Sequence, residues 1–153
     1  MKKIAIAAAC LLAAPVVLAG PFDAMKGKMK PGLYENKIEM EMGNLPPGMP
    51  AGMGGKQTMT NQHCVTEKDI EDGGLAKGGK TKNKDGECEI KDVTMSGNTA
   101  TYKMVCPKGT NGDAKMTFTG SGYVMDVNMN IDQGGHKMTM KQHTEGKYLG
   151  PCK

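Results

Sequence analysis

Thioethers dominate the reactive side chains of this chain. It carries 15 Met against 4 Tyr, 2 Phe and no Trp, so methionine takes the place that large aromatics usually fill. Two groupings stand out. In "NLPPGMPAGMGG" (44–55), Met49 and Met53 sit in a Pro- and Gly-rich stretch that builds neither helix nor strand and gives them nothing to pack against. In "HKMTMKQH" (136–143), His136, Met138 and Met140 alternate along one face of a strand and His143 follows. Thioether sulfur supports two chemistries. It takes up an oxygen atom to give a sulfoxide that a reductase can reverse, and it ligates soft metals such as Cu(I), for which imidazole is also suited.

The first chemistry makes the chain a sacrificial, repairable scavenger of oxidants such as hypochlorite, with a periplasmic methionine sulfoxide reductase as its partner. Exposed and dispensable methionines suit it, and the sequence nominates Met25, Met29, Met49 and Met53 as the sites that react first. By contrast Met40, Met42, Met104, Met116, Met129, Met138 and Met140 fall at alternating strand positions, where a flexible thioether fills a core. The second chemistry makes the chain a Cu(I)-binding protein using His136, Met138, Met140 and His143, which would make copper its cofactor; the sink needs none. A third reading is a ligand-binding or interaction module in which a Met-lined curved sheet receives an apolar partner.

Nothing in the chain points to an enzyme. There is no nucleophile elbow, Gly-rich phosphate loop or metal-hydrolase motif, and His63 beside Cys64 loses its meaning as a thiolate pair if that cysteine is oxidised. The net charge of +4 includes Lys2 and Lys3, and the chain has no Arg. Nucleic-acid binding is therefore not expected, since phosphates and base edges are met by Arg forks and aromatic platforms.

Lys2 and Lys3 precede an apolar run ending in Val17-Leu18-Ala19, which reads as a signal peptide over residues 1–19. That run is shorter than the roughly 20 apolar residues of a bilayer span, so no stable membrane anchor is expected. Residues 20–153 then form a single Met-rich domain, periplasmic or secreted.

Export makes the remaining Cys64, Cys88, Cys106 and Cys152 candidates for two disulfides. Three connectivities are open. Cys88 and Cys106 flank a hairpin at "MSGNT" (95–99) and could face each other across it, which would leave Cys64 with Cys152. The rest of the chain reads as short strands broken by glycine turns, with "YENKIEMEM", "EIKDVTM", "TATYKMVC", "AKMTFTGSG" and "YVMDVNMNI" alternating apolar with polar and "GKQTMTNQHCV" doing so weakly. The expected fold is all-β: an antiparallel sheet of about seven strands forming a curved sheet, open barrel or sandwich. Thr66 predicts the N-cap of one short helix, followed by a Gly- and Lys-rich loop to residue 87, and "PFDAMKGKMK" (21–30) reads as one or two helical turns.

The succession "MKPGLYENKIEMEM", "LPPGMPAGM", "HCVTEKD", "GECEIKDVTMSGNTATYKMVC" and a closing "KYLGPC" resembles a proteobacterial family of small exported proteins known as domain of unknown function thirty-six-seventeen, over Met29 to Cys152. Tyr34 stands where that family's Lys-Pro-Gly-Leu-Trp-Glu type motif has the larger aromatic. The resemblance implies an exported, disulfide-bonded β domain in which the Pro-Gly-Met loop is a family trait, and it supplies no catalytic residues. In composition the chain also resembles methionine-rich periplasmic proteins that absorb reactive chlorine species.

Overall fold

The computed structural model describes residues 26–48, 52, 54–71 and 88–153. Residues 1–25, which include the expected signal peptide and Met25, together with Met49, Met53 and the expected loop over 72–87, lie outside the described residues.

Among the described residues, seven strands form one antiparallel sheet: β1 (Gly32–Gly43), β2 (Gly55–Val65), β3 (Glu89–Ser96), β4 (Thr99–Val105), β5 (Asn111–Thr119), β6 (Gly122–Gln133) and β7 (His136–Gly150). Their order is β2-β1-β7-β6-β5-β4-β3. The β1–β2 hairpin stands at one side, β3 to β7 run as a meander, and β7 returns to pair with β1. The expectation of about seven antiparallel strands holds, as a single sheet with β2 and β3 at its edges.

The turns explain the meander. Gly97 (φ 59°) opens the β3–β4 turn, and Gly134 and Gly135 (φ 64° and 89°) form the β6–β7 turn, all in the left-handed region that tight hairpins need. Asp92 (φ 53°) sits at a bulge in β3, where the register with β4 slips between Lys91 and Thr94. Its carboxylate accepts from Lys103 Nζ at 2.8 Å.

Alternation along each strand separates two faces. Tyr34, Tyr102, Met116, Phe118, Tyr123, Met125 and Val127 lie buried on one of them, and the helix α1 (Glu67–Glu71) adds Ile70 to the same cluster. Thr66 caps that helix as expected. Its hydroxyl accepts from Asp69 N at 3.1 Å, and Asp69 Oδ2 accepts from Thr66 N at 3.0 Å. At Gly146 the sheet needs a missing side chain, because a Cβ there would meet the Tyr123 ring.

Disulfides join Cys64 to Cys152 and Cys88 to Cys106, with Cα separations of 5.7 and 4.1 Å. The second closes the open end of the β3–β4 hairpin. The first ties the chain's end to edge strand β2. Among the described residues, no helix is long and apolar enough to cross a membrane.

Candidate functional site

The helical reading of residues 21–30 fails where it can be compared: residues 26–28 are turn, 29 and 31 are bend, and none of 26–31 is helical. Met29 is also not exposed. It retains 7% of its surface and packs into the core cluster with Tyr34 and Val65. The cause is local. The Tyr34 hydroxyl donates to the Lys30 carbonyl at 2.8 Å, and Lys28 reaches Asn98 at 3.0 Å, so the segment entering β1 is held across the sheet with Met29 beneath it.

The strand methionines divide by depth. Met104, Met116, Met125 and Met138 are buried, with 8%, 1%, 8% and 4% exposure, while Met40, Met42, Met95, Met129 and Met140 are half-buried. Met59 is exposed at 46% on β2, where residues 55–63 are all exposed. The sequence did not nominate it. Its signal was present, however: Met59 lies between Thr58 and Thr60 in a strand with almost no apolar alternation, which is what an edge strand wet on both faces looks like.

Register assembles a feature that no single strand carries. Met42 on β1 stands opposite Met140 on β7, and Met140 stands opposite Met129 on β6. Met129 in turn faces Gly112 on β5, with Met104 of β4 beyond it. Thioethers thus occupy four of five adjacent positions in one row across the sheet. Gly112 is the gap, and a Cβ there would lie 2.9 Å from Met129 Cγ. Met138, two residues from Met140 and on its face, stands opposite Ile131.

The histidines do not join this row. His136 lies exposed at the start of β7, in phase with Met138 and Met140. His143 is three residues past Met140, an odd step, so it projects from the opposite face and the group His136, Met138, Met140 and His143 is not assembled on one side. There its Nδ1 lies 2.6 Å from Asp126 Oδ1 and its Nε2 3.5 Å from Glu145 Oε1. The bond to Asp126 raises the imidazole pKa above its ordinary value, with a smaller contribution from Glu145, against a desolvation effect that lowers it.

That opposite face is charged. Glu39 binds Lys56 at 2.6 Å and Lys37 at 3.2 Å, and these bonds hold its carboxyl below the usual range. Two shallow grooves of about 390 and 470 Å³ open here, one along Glu39, Lys56, Asp126 and His143 and the other along Asp92, Lys103 and Lys115. Among the described residues, no group of three or more His, Cys, Asp or Glu could hold a metal ion, and every buried side-chain N or O has a hydrogen-bond partner.

The family model described as "Protein of unknown function (DUF3617)" matches residues 29–152. The chain belongs to this family. No curated protein and no solved structure matches it. The DUF3617 segment begins at Met29, the first residue of the packed core, and ends at Cys152, the second half of the clasp on β2. The family's region therefore coincides with the disulfide-tied sheet.

Proposed function

We propose that this DUF3617 protein is an exported, non-enzymatic oxidant sink. Surface thioethers attack hypochlorite, the sulfur gains oxygen as sulfoxide, chloride leaves, and a methionine sulfoxide reductase restores the thioether. Cleavage after Ala19 would deliver the domain to the periplasm or the medium, and the two disulfides suit such an oxidising compartment.

The observation that carries this reading is Met59. It is a large apolar side chain left 46% exposed on an edge strand, outside the buried core that a polar sulfoxide would disrupt. The half-buried Met40, Met42, Met95, Met129 and Met140 form a second reserve, and the buried methionines are held back because a polar sulfoxide would disrupt the core. Burial removes Met29 from the early-reacting set. Met25, Met49 and Met53 remain in it by the sequence argument. A cycle of limiting hypochlorite followed by reductase tests the proposal. Recovery of the original mass with an unchanged fold supports it, and irreversible aggregation at low oxidant overturns it.

A further inference from the structure

We infer that Met42, Met129 and Met140 form a thioether site for one soft monovalent cation of the Cu(I) class. The three residues stand in register on adjacent strands, with Met140 in the middle. Directly opposed side chains in an antiparallel pair have Cβ atoms about 4.5–5.5 Å apart, so the outer two methionines flank Met140, one as a hydrogen-bonded and the other as a non-hydrogen-bonded pair. Each has an unbranched side chain with three rotatable bonds that can turn its sulfur toward the central one.

Position on the sheet favours a ligand role over packing alone. Each of the three is half-buried rather than sealed, so part of each residue is open to solvent and part is shielded from it. Buried Met116 and Met125 on the same face do what packing requires. The donor set decides the ion. Neutral, soft thioethers prefer Cu(I), whereas Mg²⁺ and Ca²⁺ require oxygen donors. A thioether has no proton to lose, so affinity should not change as histidine titrates, unlike a site built on His136 or His143.

The test uses the purified full chain with both disulfides formed. Cu(I) is offered in competition with bicinchoninate, and Ag(I) is titrated into protein carrying ¹³C-labelled methionine methyls. One equivalent is expected to bind, shifting the methyls of Met42, Met129 and Met140. Affinity should be alike at about pH 5 and about pH 8. Loss of one ligand in Met140→Leu should weaken binding about tenfold or more, while Met59→Leu should leave it unchanged. Leucine nearly conserves volume, and if the variant nevertheless fails to fold, the methyl shifts of the unaltered protein decide. Failure to draw Cu(I) from the chelator overturns the site. So does full affinity in folded Met140→Leu, a steep loss of binding on acidification, or Ag(I) shifts confined to other methionines. None of these results bears on the oxidant sink, which needs no metal.

Discussion

The Tyr123 hydroxyl donates to Asn36 Oδ1 at 2.8 Å, joining β6 to β1 across the intervening strand β7. Both residues are buried, at 4% and 7% exposure, and Asn36 Nδ2 donates onward to Asn61 on edge strand β2 at 3.3 Å. The bridge crosses β7 where Gly146 has no side chain to block it. A polar link inside an apolar face fixes register, because a slip of one residue would leave its partners without hydrogen bonds.

Tyr123→Phe removes the donor and leaves Asn36 Oδ1 buried without it. The cost should be about 1–3 kcal/mol, read as a lower urea midpoint with the slope of the transition unchanged.

Alkaline titration should separate the tyrosines. Burial, aided by Tyr34, pushes the Tyr123 phenol up to about 12, and burial pushes Tyr102 higher still. An unfolded tyrosine ionises near 10. A raised folded-state pKa gives stability that is complete below about pH 10 and is lost as pH rises through the folded value. Phenolate absorbance should therefore show Tyr102 and Tyr123 ionising together with unfolding, well above the usual range.

His143 should titrate above about 6.5, and Asp126→Asn should bring it down. The sign is that of a group gaining a partner: its contribution is full below the unfolded pKa and disappears as pH rises through the folded one. The imidazole is 40% exposed, so the stability effect should stay within about 1 kcal/mol. The NMR midpoint is the sensitive readout.

The two disulfides should differ in weight. Cys64 and Cys152 are 88 residues apart and Cys88 and Cys106 only 18. In the chain-entropy account the longer closure stabilises by about 1.4 kcal/mol more. Paired serine variants compared by thermal unfolding should show Cys64→Ser/Cys152→Ser as the more damaging change.

Much of this architecture was legible because period-two patterns are local. "KMTFT" and "YVMDVNMNI" declare their buried faces, and Gly97 with Asn98 declares a turn. The open alternatives for the cysteines closed as the hairpin suggested, since β3 and β4 bring Cys88 and Cys106 together whatever the rest of the sheet does. Met29 was not legible. Its neighbours "KGKMKP" are those of an exposed segment, and its burial depends on Tyr34 and Asn98 holding that segment across the sheet. The face of His143 was legible in principle, because an odd step from Met140 reverses it; nearness in sequence concealed the parity. The row of Met42, Met140 and Met129 exists only in the register of three strands drawn from both ends of the chain.

The most direct measurement for the oxidant sink is peptide mapping of sulfoxides after substoichiometric hypochlorite, with far-ultraviolet circular dichroism on the same sample. The account predicts that Met59 is among the first residues modified, that Met29, Met116 and Met138 are among the last, and that the β signal is unchanged. Early oxidation of Met116 or Met29, or loss of the β signal with the first equivalents, would contradict it.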